Sequence, residues 1–589
     1  MKKRRKSFFL LVAFILGLWL LVSYSSTPER SRKPSDDWAR GIPVGFDASG
    51  KVEMVVEEGG NKVHMVWPFE AEDGIVGIRY LQMGESAQVS LDREVIKIQG
   101  QMHSPRLFLT DEGLLHLFWA NRVDATQKWQ LWYLQIDSEG NLQSEPMQIS
   151  DAGSGIVKYA AAKKNDGEVW VAWEDVRSGE IMLTGVSAFG EKQAQNTSVA
   201  AEGSNPDIVI DEQGQIHLTW INNENDLFYA QGDSGLASSF SEENIFHIPL
   251  GTGASLDGPV VGVSGDFVYI FWSILSQSGL EAGTARAEYI SFPIGKPEEA
   301  SGLVRIGILP FEEPPYQPKE GDYSYSELVP ASFAGNTGKF IYGPSVIQNP
   351  RGELALALAA QQQHRLDGFI QIAIAIMDEG KYKGFTFATR TQSISSDPVL
   401  AADGVGNFHL LWREGFSKKD VYYTTTDAET RAEVDHLTLR DASTLILAGG
   451  IEGFAAILLF PLAFPWIFPG LVLVVIWRLV RNDEDLTHRA SQVILVISLL
   501  LYQISKVLVF PTVVDYVPFS AWTDIAGGWE LPLRILVPLI VFGISIAIAE
   551  RSRRRSKDLP STLRYYFVVV FLDMTMTLGI YGVNFLGAY

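Results

Sequence analysis

The chain of 589 residues contains no cysteine. That excludes disulfides, a thiol nucleophile, a lipid-modified cysteine and every cysteine-based zinc or iron–sulfur site. It leaves the redox compartment open, because a large core needs no covalent staples. Cations are scarce as well. No Lys or Arg occurs between Gln193 and Ala285, and residues 41–440 hold 28 Lys and Arg against 55 Asp and Glu, about −27 with histidine neutral. Phosphate backbones and anionic lipids require clustered positive charge, so no nucleic-acid partner is expected. The chain also lacks HExxH, the GxxxxGK[ST] phosphate loop, a GxSxG elbow and a GxGxxG after a strand. No cofactor and no metal are implied.

What is present divides unevenly. The length exceeds one ordinary core, so two or three domains are expected. Two regions are apolar enough for a membrane: residues 8–22, after the basic start Met1–Lys6, and most of 444–588. The first has the form of a signal-anchor or signal peptide, with an uncleaved anchor slightly favoured, followed by a Ser/Thr/Pro/Arg-rich linker to residue 40. Either form sends residue 41 onward across the membrane.

Between these regions one phrase recurs. Aligned on its last tryptophan it gives Trp67, Trp119, Trp173, Trp220, Trp272 and Trp412, with a degenerate copy at Gly352–Leu358. The spacings are 52, 54, 47, 52, 86 and 54 residues, the long one holding an insertion at about 293–343. Each unit reads as a strand that often follows proline, an Asp/Gly turn, the Trp strand, a polar loop and an aromatic strand such as Leu227–Ala230. Short β-rich units repeated about every 50 residues predict an all-β propeller of about seven blades over residues 41–440.

The wording of these units, as in Asp166–Arg177, resembles the sialidase-like, BNR-type propeller superfamily over about 400 residues. The resemblance implies a fold, with glycosidase or lyase activity as its functional counterpart. The family's Asp-box, Ser-x-Asp-x-Gly-x-x-Trp, is nowhere intact. Its three-arginine carboxylate clamp and Tyr/Glu nucleophile pair have no visible match, since Arg106, Arg122, Arg177 and Arg413 belong to different blades.

Four histidines, His64, His116, His217 and His409, share one repeat position that holds Trp170, Tyr269 and Ala355 in the other blades. Metal ligands must converge on a point. A position that accepts Trp, Tyr or Ala reads instead as packing with a polar tip.

Strands alternate in direction, so the loops after the Trp strands share one face with the connections between blades. The candidate binding residues on this loop face are Arg106, Arg122, Asp124, Asp175, Arg177, Glu224, Asp226, Arg413 and Glu414. The insertion adds Pro314–Pro318 and Tyr323–Tyr325, a Pro/aromatic contact element. If Ala432–Leu439 is the outer strand of the last blade, the chain leaves on this face, which would then look toward the bilayer.

Residues 441–589 predict a helical membrane domain with spans at about 454–477, 491–512, 531–549 and 565–588. Basic residues cluster between the first pair and between the last pair, placing both connections in the cytoplasm and the propeller outside the cell membrane. Pro461, Pro465 and Pro469 predict a broken entry to the first span. Ionisable residues in or near spans, Asp573, Lys506, Arg534 and Glu452, are functional candidates by default. For Asp573, inter-helix hydrogen bonding is the simpler reading and proton or solute transport the bolder one. The chain as a whole reads as a membrane-anchored, multi-pass protein whose extracytoplasmic propeller binds a protein partner, glycan or envelope polymer without catalysis. Alternatives are a sialidase-like glycosidase or lyase, and a gate or accessory of a membrane transport or processing assembly.

Overall fold

The computed structural model describes residues 31–581 with interruptions. Residues 1–30, 234–239, 311–327, 332–337, 510–528, 556–560 and 582–589 lie outside the described residues, as do most of 442–459 and short stretches elsewhere. Two compact units are present. One comprises Glu29–Gln363 and Gly368–His436; the other contains Leu437–Tyr589.

The first unit is a seven-bladed β-propeller. Seven antiparallel sheets follow in chain order, each entered through its innermost strand: Glu53–Val56, Gln101–Leu109, Ile156–Lys163, Ser204–Ile210, Ala254–Ser264, Ile341–Gln348 and Ser395–Ala402. The second strand of each blade carries the recurring Trp phrase. Trp67, Trp119, Trp173, Trp220, Trp272 and Trp412 are essentially inaccessible, filling the space between successive sheets. The degenerate sixth unit supplies Leu354–His364, whose Ala355, Ala357 and Ala359 are buried between the sixth and seventh sheets.

The insertion serves the two blades that flank it. Val304–Arg305 pairs with Tyr289 and Glu288 as the outer strand of blade five, and Val329–Pro330 adds a fifth strand to blade six. Pro314–Pro318 and Tyr323–Tyr325 lie outside the described residues.

Closure differs from expectation. The outer strand of blade seven is Ile42–Gly45, paired with Asp420–Thr425, rather than Ala432–Leu439. The segment assigned to that strand instead follows helix α1, Ala428–Val434, and overlaps its end. Ala, Glu and Arg favour helix there, and the Asp427 carboxylate caps the first turn through the Thr430 amide at 2.7 Å. The N-terminal strand wins because its approach is locked. Trp38 is fully buried, and Arg40 donates to Asp435 Oδ1 at 3.0 Å and to the His436 carbonyl at 3.2 Å. Gly45 lies so close to Trp67 that a Cβ would fall 2.3 Å from the indole. The third strand of blade seven therefore ends on the face opposite the loops. The inference that the chain exits on the loop face, and that this face looks toward the bilayer, loses its premise.

The second unit contains α2 (Phe464–Arg481), α3 (Arg489–Val509), α4 (Glu530–Arg555) and α5 (Thr562–Tyr581), all long and apolar enough to cross a membrane. The first helix begins ten residues later than the expected span, after a 3₁₀ turn at Phe460–Ala463. Pro465 is tolerated in the first turn of α2, where the amide has no helical partner, while Pro469 removes a bond inside it. Trp466, Val474, Tyr502, Tyr566, Val569 and Leu578 form the packed interior.

Candidate functional site

The innermost strands of the blades surround the propeller axis, and each begins at the loop-face end. A bulge interrupts the pairing close to that start in six blades. In five it coincides with a residue in the left-handed region directly before proline: Ser104 (φ 52), Asn205 (φ 53), Gly258 (φ 108), Gly343 (φ 72) and Asp397 (φ 53). Non-glycine residues held there cost on the order of 1–3 kcal/mol each, and such backbone gathers where side chains must be re-aimed. The register then places Glu53, Arg106, Ala160, Asp207, Val260, Ser345 and Val399 at one level, each opposite the residue preceding the Trp-strand landmark.

Three of these seven are ionisable, and two of them pair directly. Arg106 Nη1 donates to Glu53 Oε2 at 2.9 Å, and the field of Arg106 reaches Asp207, two blades away, and Tyr159. Tyr159, one residue before Ala160, donates its hydroxyl to the Ser104 carbonyl and so ties blade three to blade two. Arg106 keeps 42% of its side-chain exposure although protein surrounds it, as a group on the wall of a wet channel would. Glu53 keeps only 10%. Burial pushes the Glu53 carboxyl up, and it pushes Asp207 up to about 6. Lys158, with Asp257, Lys51 and Glu174 as charged neighbours, is pushed down by burial. Acids, cations and a phenol are thus interleaved around the axis.

The sequence-derived candidates are distributed as follows. Arg106 alone joins this cluster directly. Arg122 bonds Gln101 at 2.7 Å and lies over the Trp129 ring at 4.4 Å, beside His103. Asp124 is exposed on the loop beyond it. Asp175 is committed to its own turn, accepting from the Arg177 and Ser178 amides at 2.7 and 3.1 Å, and the Arg177 side chain is exposed. Glu224 is an exposed turn residue, and Asp226 accepts from His247 at 2.8 Å. Arg413 bonds Asp397 at 2.5 and 3.0 Å, with Lys419 at 3.2 Å from the same oxygen. Burial raises the Asp397 carboxyl, but the two cations more than reverse this and hold it below the usual carboxylate range. Glu414 is buried, accepting from Ser395 and Trp412, both at 2.8 Å. Arg122 and Arg413 are therefore held by local partners and the Arg177 side chain is exposed, so none of the three shares a pocket with Arg106.

Glu53, Tyr159 and Asp207 were not among the expected residues. A signal for two of them existed: once blades are aligned on the Trp strand, Glu53 and Asp207 stand with Arg106 at a level where Val260 and Val399 show that apolar residues also fit. Tyr159 sits where five of the other six blades carry proline and could not be singled out that way.

The four histidines are structural. His64 bonds Tyr80 at 2.7 Å, His116 bonds Tyr133 at 2.7 Å, His217 bonds Tyr229 at 2.6 Å and His409 bonds Tyr423 at 2.6 Å. Each pair joins the second and third strands of one blade as a diagonal cross-strand contact. In two blades an acid on the preceding turn extends the bond, Glu57 at 3.3 Å and Asp211 at 3.1 Å, while Asp403 stands 3.7 Å from His409. No cluster with metal-ligand composition occurs among the described residues.

In the helical unit, Lys506 and Asp573 form a buried ion pair at 2.8 Å. Arg534 lies on α4, and Glu452 lies outside the described residues.

No family model matches the chain, and no curated protein sequence matches it. Solved structures similar to it include a protein of unknown function from Dyadobacter fermentans, at 9% identity over 68% of this chain and 99% of that one, with TM-score 0.39. An ulvan lyase is similar at 8% identity over 67% and 100%, with TM-score 0.39. The NanB sialidase from Streptococcus pneumoniae is similar at 9% over 66% and 70%, with TM-score 0.34. The described residues themselves show a seven-bladed propeller and four helices long and apolar enough to span a membrane.

Proposed function

We propose that the protein is a membrane-anchored, extracytoplasmic binding propeller, and that the channel cluster Glu53–Arg106–Tyr159–Asp207 receives a glycan or another hydroxyl-rich envelope polymer without turning it over. The observation that carries this reading is that polar side chains from the innermost strands of four blades stand near one level around the axis. Interleaved donors and acceptors suit hydroxyl groups, which need both. A polyanion would need an excess of cations, and Glu53 already offsets Arg106. The test uses the full chain in lipid nanodiscs against a panel of soluble polysaccharides and envelope fragments. Binding that is lost in Arg106→Met and Asp207→Asn, with the fold intact, is the expected result. Binding indifferent to both substitutions would remove the site.

A second reading is a glycosidase or lyase. It is supported by Asp207, whose proton affinity near neutrality suits an acid–base group, and by the Tyr159 hydroxyl beside the Arg106–Glu53 pair. Against it stand Arg122, Arg177 and Arg413, which do not join Arg106. Release of shortened chains or unsaturated ends from any bound polymer would establish catalysis.

A further inference from the structure

The interior of the helical unit holds more polarity than an anchor requires. Two donor groups make three hydrogen bonds: the Tyr502 hydroxyl and the Lys506 ammonium both reach Asp573 Oδ2, at 2.6 and 2.8 Å, and Lys506 also reaches Thr577 Oγ1 at 2.7 Å. Asp573 Oδ1 is buried and has no hydrogen-bond partner among the described residues. The same holds for the hydroxyls of Ser491 and Ser498, both fully buried. Ser491, Ser498, Tyr502 and Lys506 fall at spacings that share one face of α3, a stripe about 22 Å long at 1.5 Å per residue. Trp466 from α2 and Tyr566 from α5 adjoin Tyr502, and α4 contributes Val537, Phe542, Ile546 and Ala549 to the same packed cluster.

An unmet buried polar atom costs on the order of 1–3 kcal/mol. A buried ion pair repays its desolvation only when its remaining lone pairs are also satisfied, and among the described residues nothing satisfies those of Asp573 Oδ1. Buried polar groups with unmet hydrogen bonds are met by water where the site has room for it. We propose that the α3–α5 interface is a water-fed proton site. Hydronium reaches it past Ser491 and Ser498 and transfers a proton to Asp573 Oδ1, water departs, and the carboxyl group stays held through Oδ2 by Tyr502 and Lys506. The helical unit is then a proton-responsive element rather than an inert anchor, a conclusion independent of what the propeller binds.

The test is infrared difference spectroscopy of the full chain in lipid nanodiscs. Acidification should produce a carboxyl signal that is missing in Asp573→Asn and displaced in frequency in Asp573→Glu, the second variant guarding against misfolding of the first. Transfer to heavy water should shift that signal promptly, and Ser491→Ala with Ser498→Ala should slow the shift several-fold. A spectrum without any Asp573-dependent carboxyl signal would overturn the proposal. So would heavy-water exchange unchanged by the double serine variant.

Discussion

Arg106, on the innermost strand of the second blade, holds Glu53 of the first at 2.9 Å. Deleting one member of such a pair leaves the other to bear its own desolvation. Arg106→Met should destabilise the propeller by about 1–3 kcal/mol, less than for a fully buried pair because water reaches the guanidinium. Glu53→Gln should cost less, and the double variant should be less destabilised than the two single effects added. Urea denaturation of the four proteins provides this cycle.

The histidine–tyrosine pairs predict a second cycle. Tyr229→Phe removes one hydrogen bond to the fully buried His217 and should cost about 1–2 kcal/mol. His217→Phe also strands Asp211, its partner at 3.1 Å, and should cost more. Thermal melting of the single and double variants should give a coupling of the same sign as the hydrogen bond. Strict additivity would reduce the pair to independent packing residues.

Acid should weaken the propeller through the same histidines. Burial pushes His116 from 6.5 down to about 4, and it lowers His217 and His64 as well. Between those values the unfolded chain takes up a proton that the folded chain refuses. Stability is therefore complete above about pH 6.5 and falls as pH drops toward 4, by up to about 1.4 kcal/mol per pH unit for one such group. Asp207 acts with the opposite sign. Raised from 3.8 to about 6, it binds a proton more readily when folded, and its cost at neutral pH is relieved on acidification. Urea midpoints between pH 7 and about pH 4.5 should fall, more gently in His116→Phe and more steeply in Asp207→Asn.

Closure by the N-terminal strand makes Gly45 irreplaceable. A Cβ there would stand 2.3 Å from the Trp67 indole, so Gly45→Ala must displace either the strand or the tryptophan. A loss of about 1–3 kcal/mol is expected, with changed tryptophan fluorescence. Gly113→Ala meets no atom within 4 Å but occupies a left-handed turn, and it should cost less without the spectral change.

In the helical unit, removing one charge of the Lys506–Asp573 pair should be worse than removing both. Lys506→Met alone leaves a buried carboxylate, whereas Lys506→Met with Asp573→Leu leaves an apolar contact. Recovery of thermal stability in the double variant, measured in detergent, is the expected outcome.

Much of the propeller was legible because its information is local and repeated. A buried Trp on the second strand of six blades, with turn residues at a steady offset, records a geometry that the chain must satisfy once per blade. His217 could be read as a packing position because Trp170, Tyr269 and Ala355 replace it elsewhere. Its bond to Tyr229 was not legible, since it depends on register between strands. The outer strand of blade seven was misplaced for a related reason. The affinity of Ile42–Gly45 for Asp420–Thr425 spans most of the propeller's length, and no local pattern distinguishes it from Ala432–Leu439.

Sequence alone determined the class of this protein: repeated β units, membrane-grade apolar helices, no thiol chemistry and too few cations for a polyanion. Those properties follow from composition and short-range periodicity, which survive without knowledge of long-range contacts. Tertiary structure alone decided which polar residues meet. Glu53, Arg106, Tyr159 and Asp207 lie about fifty residues apart in succession, and Lys506 and Asp573 on different helices. Only closure of the blades around an axis, and packing of α3 against α5, bring such distant groups within the few ångströms over which charges and hydrogen bonds act.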